Sequence, residues 1–109
     1  MEKFTIGQVV SITFPFSDLA FQKRRPALIV AIADFDDIIL CQITSKPYSS
    51  SMPIELLSTN FTNGSLPVNS YIRPDKLFIA DSSIVNTVYG TITSKKLSEV
   101  LIRIHSLFK

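Results

Sequence analysis

A chain of 109 residues has the size of one domain. With 46% hydrophobic and 18% charged residues it holds enough apolar material for a real core, which excludes a disordered acidic tail. The formal charge of +2, from 11 Lys and Arg against 9 Asp and Glu, is too small to imply nucleic-acid binding by itself.

Local clusters matter more than the total. Lys23, Arg24 and Arg25 are consecutive, and Arg73 with Lys76 makes a second basic group. The mean hydropathy of +0.29 is high for a short soluble chain. Either a strand-rich core or apolar surface covered by a second copy accounts for it. Residues 1–5 lack a hydrophobic run of signal-peptide length, and no segment is long enough to span a bilayer. The expectation is a cytoplasmic protein with no membrane contact.

In chain order, residues 8–14 (QVVSITF) predict a strand, with Val10, Ile12 and Phe14 alternating toward one face. Residues 16–25 turn polar and basic and read as a loop. Pro26 then holds Arg25 extended. Residues 27–33 are continuously apolar, the pattern of a strand buried on both faces. Residues 34–37 form an acidic turn and residues 38–43 a second buried strand, so the pair predicts a hairpin. Residues 54–56 predict a short strand, Asn63-Gly64 a turn, and residues 67–72 an extended segment. Residues 76–79 and 85–92 predict two further strands, with Gly90 a bulge or a point of close approach. Leu97, Val100, Leu101, Ile104, Leu107 and Phe108 follow helical spacing after Ser94, the N-cap candidate. The outline is a single mainly β domain over 1–109, closed by a C-terminal α-helix.

Several chemistries have no motif here. The chain has no P-loop, no Gly-rich dinucleotide turn and no Cys/His cluster of metal-ligand spacing, so neither a metal nor a cofactor is expected. His105, the one histidine, sits among apolar residues of the terminal helix and reads as structural. Asp34, Asp36 and Asp37 read as a solvated turn. Cys41, the one cysteine, lies within an apolar run and reads as a buried thiol in a reducing compartment.

Three polar groups sit at ends of buried strands: Lys23-Arg24-Arg25-Pro26, Thr44-Ser45, and Arg73-Pro74-Asp75-Lys76. In an antiparallel hairpin the start of one strand lies beside the end of the next, which predicts Arg25 and Thr44 as neighbours. A guanidinium beside a hydroxyl can clamp a phosphate. By spacing alone, a surface salt bridge for Arg25 and a plain strand end for Thr44 fit as well.

The sequence resembles the MazF/PemK (Kid) toxin family over nearly its whole length. The matching pieces are Gly7-Gln8-Val9-Val10, Phe14-Pro15-Phe16-Ser17-Asp18, Lys23-Arg24-Arg25-Pro26-Ala27-Leu28-Ile29-Val30 and Ile39-Leu40-Cys41-Gln42-Ile43-Thr44-Ser45. Gly64-Ser65-Leu66 and Ser70-Tyr71-Ile72-Arg73-Pro74-Asp75-Lys76-Leu77-Phe78 complete them. The resemblance implies an SH3-like barrel of antiparallel strands with a C-terminal helix, acting as a homodimer. It also implies metal-independent, sequence-selective cleavage of single-stranded RNA by 2′-hydroxyl attack, leaving a 2′,3′-cyclic phosphate and a 5′-hydroxyl.

Carried over by position, Arg25, Thr44, Arg73 and Asp75 match catalytic residues, with Arg73 and Asp75 the Kid-type acid and base pair. Ser45 matches a phosphate- or base-contacting residue. Phe16, Ser17, Lys23, Arg24 and Lys76 are further substrate-binding candidates. Kid-type members place a His in the loop after the first strand, where this chain reads Phe16-Ser17-Asp18-Leu19. The implied partners are single-stranded RNA and a cognate antitoxin with an acidic segment, with DNA reached only through that antitoxin. Base choice is expected to depend on the loops 17–24 and 49–62. Two non-nuclease readings share the fold: a gyrase poison of the CcdB type and a catalytically silent binding module.

Overall fold

The computed structural model describes residues 4–14, 23–46 and 53–108. Seven strands form one antiparallel sheet: β1 (Gln8–Phe14), β2 (Lys23–Ile32), β3 (Asp37–Thr44), β4 (Ile54–Leu56), β5 (Phe61–Gly64), β6 (Ser70–Asp81) and β7 (Val85–Ile92), followed by helix α1 (Ser94–His105). Their order across the sheet is β4-β6-β3-β2-β1-β7-β5. The sheet curls into a half-barrel with α1 at its C-terminal end.

The curl is built from the two-residue alternation of the central strands. Val9, Leu28, Val30, Cys41, Ile43 and Ile72 pack with Val100 of α1 into one apolar cluster, which Leu97 and Ile104 of the same helix extend. Val10, Ile12, Ala27, Ile29, Ile38 and Leu40 form a second cluster on the other face. Residues 27–30 are therefore buried whichever way they point, as their unbroken apolar run requires.

Several boundaries depart from the sequence reading, each for a physical reason. β2 starts at Lys23 rather than after Pro26, because Lys23, Arg24, Arg25 and Pro26 pair with Phe14, Thr13, Ile12 and Ser11 of β1. The proline is tolerated because of the side its backbone faces. The Ile29 carbonyl accepts from Gly7 N–H on the β1 side at 2.8 Å. Alternation then turns Ala27 and Arg25 toward β1 and Pro26 toward β3, where the ladder begins only at Ala27. The missing N–H costs no rung.

Of the expected extended segment 67–72 only residues 70–72 are strand, and they belong with 76–79 to one long strand, β6 (Ser70–Asp81), whereas residues 67–69 bend before it. Its register against β3 jumps between the rungs Cys41↔Leu77 and Gln42↔Arg73, so Pro74-Asp75-Lys76 bulges out of the ladder. Asn63-Gly64, a turn by composition, lies in edge strand β5, with Gly64 paired to Gly90 of β7. A Cβ on Gly64 would stand 2.0 Å from the Tyr89 carbonyl oxygen, and one on Gly90 2.2 Å from that of Asn63. These glycines serve a close approach of two backbones.

The helix N-cap is Thr93, one residue before Ser94; its hydroxyl accepts from Lys96 N–H at 3.1 Å. Only part of the apolar helical stripe is covered: Val100 is buried, whereas Leu101, Leu107 and Phe108 are exposed. His105 is exposed in the last turn. Among the described residues no helix is long and apolar enough to cross a membrane.

Candidate nucleic-acid interface

One sheet face changes character along its length. At the 34–37 hairpin end it carries Ile29, Ile38 and Leu40. Toward the other end the rungs Ala27↔Gln42, Gln42↔Arg73 and Thr44↔Tyr71 place Gln42, Thr44, Tyr71 and Arg73 on that face. Continuing the β2–β3 register two residues past Ala27↔Gln42 sets Arg25 beside Thr44, and Arg25 also pairs with Ile12 of the same face.

At this polar end, where β2 begins and β3 ends, a cavity of about 630 Å³ opens at the surface. Arg25, Thr44, Arg24 and Ser45 line it together, joined by Pro26, Ile43, Lys46, Val68 and Ser70. The described lining thus holds three cationic side chains and three hydroxyls, with no carboxylate. Such a surface suits a polyanion, because the cations gain from a phosphate and neutral hydroxyls add donors without repulsion.

Thr44 is held for that task. Its Oγ1 accepts from Lys46 N–H at 3.1 Å, closing a two-residue turn at the end of β3. With a lone pair engaged by the backbone, the hydroxyl hydrogen can donate outward to an oxyanion. Arg25 is half-buried, while Arg24, Ser45 and Lys46 are exposed.

The Arg73-Asp75 group lines no part of this cavity. Arg73 Nη2 donates to Asp75 Oδ2 at 3.4 Å, across the bulge of β6, and their side chains are 15% and 35% exposed. Arg73 Nε is buried and finds no hydrogen-bond partner among the described residues. Cys41 lies against the same bulge, its Sγ donating to the Arg73 carbonyl at 3.2 Å. Burial, with a smaller contribution from the Asp75 carboxylate, pushes the Cys41 thiol up from 9.0 to about 12. A neutral, buried thiol is no nucleophile at ordinary pH. Lys76 is exposed in the bulge.

Lys23 is the first residue of β2, and nothing is described of its side chain. Phe16 and Ser17 lie outside the described residues. Among the described residues no group of His, Cys, Asp and Glu is placed to hold a metal ion.

Lys46, Val68 and Ser70 were not anticipated from the sequence. Lys46 follows Thr44 by two residues, and its place at the same strand end is the signal that could have found it. Val68 and Ser70 precede Tyr71, the partner of Thr44, and finding them requires the β6 register, which the bulge conceals.

Residues 5–108 match the model of the PemK-like, MazF-like toxins of type II toxin–antitoxin systems. The chain belongs to that family. Among curated proteins no significant match is found. Solved structures of the same fold include MazE–MazF from Deinococcus radiodurans, at 20% identity and TM-score 0.75, covering 94% of this chain and 92% of that one. An endoribonuclease from a mycobacterial species matches at 16% identity and TM-score 0.70, covering 97% and 91%. A mycobacterial endoribonuclease bound to its cognate antitoxin matches at 18% identity and TM-score 0.65, covering 97% and 96%. Identities this low speak to the fold. Within the MazF-like toxins, this chain's own cavity carries the case for its chemistry.

Proposed function

We propose that this toxin is a metal-independent endoribonuclease that cuts single-stranded RNA at the cavity between β2 and β3. The observation that carries the reading is Arg25 and Thr44 on one cavity wall, among further cations and hydroxyls, with no described carboxylate to repel a phosphodiester. Family membership and the endoribonucleases of like fold support it.

In the proposed reaction the ribose 2′-oxygen bonds to the adjacent phosphorus and the P–O5′ bond breaks. The 2′-hydroxyl proton passes to a base and the 5′-oxygen gains a proton. The products are a 2′,3′-cyclic phosphate and a 5′-hydroxyl, with no protein nucleophile required. Arg25 and the Thr44 hydroxyl hold the non-bridging oxygens, whose negative charge grows in the phosphorane, with Ser45 as a further donor. Arg24 and Lys46 attract the flanking backbone. Asp75 is assigned as the base and Arg73 as the acid. On the strand that pairs with Thr44, Arg73 lies two residues beyond Tyr71 and Asp75 four.

The same cations suit an antitoxin's acidic segment, which would compete with RNA for them. A homodimer in the cytoplasm, meeting DNA only through that antitoxin, completes the proposal. Incubation of the purified protein with a long unstructured RNA in EDTA, followed by chemical identification of the cut ends, tests it. Cyclic phosphate and 5′-hydroxyl ends are expected. Intact RNA together with gyrase-dependent DNA breaks would instead favour a gyrase poison.

A further inference from the structure

We propose that Val68 is the base-contacting wall of the cavity and that Ser70 is its positioning residue. The inference rests on the endoribonuclease reading and adds a subsite to it, outside the two loops from which base choice was expected.

A lone exposed valine is ordinary on a protein surface. Three observations set this one apart. First, Val68 lines the cavity that holds Arg25 and Thr44, and it is 58% exposed there. The other apolar lining residues are more covered: Ile43 is buried within the core and Pro26 is half-buried in β2. A nucleobase beside a gripped phosphate needs an apolar surface to lie on, and among the described lining residues Val68 is the apolar side chain most open to it.

Second, the backbone behind Val68 is pinned. Ser70, 2% exposed, donates its hydroxyl to the Val68 carbonyl at 3.0 Å. Ser70 is itself held by its pairing with Leu56 of β4. On the other side Leu66 packs against the main core cluster, and Pro67 restricts the chain between them. The segment is thus fastened at both ends, with Val68 facing solvent in the middle.

Third, Val68 brings no hydrogen-bonding group. Its contact discriminates by size and stacking fit, and an aliphatic contact of this kind gives selectivity of modest depth. Asn69, exposed beside it, is the neighbouring group able to meet a base edge.

The test compares wild type, Val68→Ala and Ser70→Ala, with Val88→Ala on β7 as an exposed valine outside the cavity lining. All cut ends on a long RNA are sequenced. The values of kcat and KM are then measured on the preferred oligonucleotide and on versions with one flanking nucleotide changed at a time. Val68→Ala should lower kcat/KM on the preferred oligonucleotide by about tenfold and flatten the preference at one nucleotide position while sparing the others. Ser70→Ala should flatten the same position through a rise in KM at nearly unchanged kcat, which a loss of global stability would not produce. Val88→Ala should change neither.

Thermal unfolding accompanies each variant. A folded Val68→Ala protein with every positional preference intact overturns this inference and leaves the nuclease reading standing. A wild-type protein that cuts no RNA overturns both.

Discussion

The rim cavity and the β6 bulge each present an arginine on the same sheet face, and they treat it in opposite ways. At the rim, Arg25 is one of three cations lining an open cavity beside a hydroxyl whose lone pair the backbone has already engaged. At the bulge, Arg73 is turned onto Asp75, mostly buried, with its carbonyl accepting from a buried thiol. The difference teaches that residue type does not make a phosphate site. What matters is whether the charge lines a space that a phosphodiester can enter. By that measure the rim is built to grip the phosphate, and the bulge to hold the proposed acid and base to each other as an ion pair.

The largest effect expected from this contrast is on activity at the rim. Arg25→Ala should lower kcat/KM for RNA cleavage by about 10³-fold, with a cooperative thermal unfolding transition retained. Thr44→Val, which keeps the shape and removes the donor, should cost about 10²-fold in the same assay. Arg73→Ala should behave differently by losing stability as well as activity. Removing a side chain only 15% exposed should cost about 1–3 kcal/mol in chemical denaturation. If Arg25→Ala unfolds the protein while Arg73→Ala leaves its stability unchanged, the two regions have been assigned the wrong way round.

The bulge also makes a prediction in pH. The Cys41 thiol is raised from 9.0 to about 12 in the folded protein. Below about pH 9 it is neutral in both folded and unfolded chains and has no effect on the balance. Above that the unfolded chain ionises first, so its contribution to stability falls as pH rises from about 9 to about 12. Cys41→Ala should remove this part of the alkaline loss in denaturation curves. Thiol-specific alkylation at pH 8 should label Cys41 only in denaturant. The smallest effect is expected far from both regions. Thr93→Ala, which removes the cap of α1, should cost about 1 kcal/mol and leave cleavage unchanged.

Much of the fold was legible in the chain. The alternation in 8–14 and the unbroken apolar runs before and after the 34–37 turn each predicted a strand where one stands, and the hairpin between them follows. What stayed hidden was non-local. The pairing of Lys23, Arg24 and Arg25 with β1 depends on tertiary contacts that override a polar composition. Gly64 looked like a turn because the signal for positive φ is the same whether the chain reverses or two backbones touch. Strand β6 runs through its bulge and joins residues 70–72 to the predicted 76–79, so the bulge hid from the sequence where Ser70, and Val68 just before the strand, would lie.

By composition the 34–37 turn is an ordinary acidic one. In the structure Phe35 and Asp36 both take left-handed backbone angles, φ 62° and 65°, leaving the phenyl ring 94% exposed. A tight turn, closed by Asp37 N–H donating to the Asp34 carbonyl, imposes that conformation on its two central residues, and nothing in a Phe announces it. In the candidate site, the neighbourhood of Arg25 and Thr44 was legible because a hairpin register is short-range arithmetic. That Arg73 and Asp75 do not join the described lining was not, because it depends on which way a bulged strand turns its side chains.

The most direct test of the rim as the binding site is a solution NMR titration. A short RNA carrying a 2′-deoxyribose at the cleavage position binds without being cut. Backbone amide shifts are predicted to concentrate at residues 24–27, 43–46 and 68–70, with the 34–37 turn and α1 unmoved. Shifts concentrated on α1 or the 34–37 turn, with the rim silent, would contradict the account.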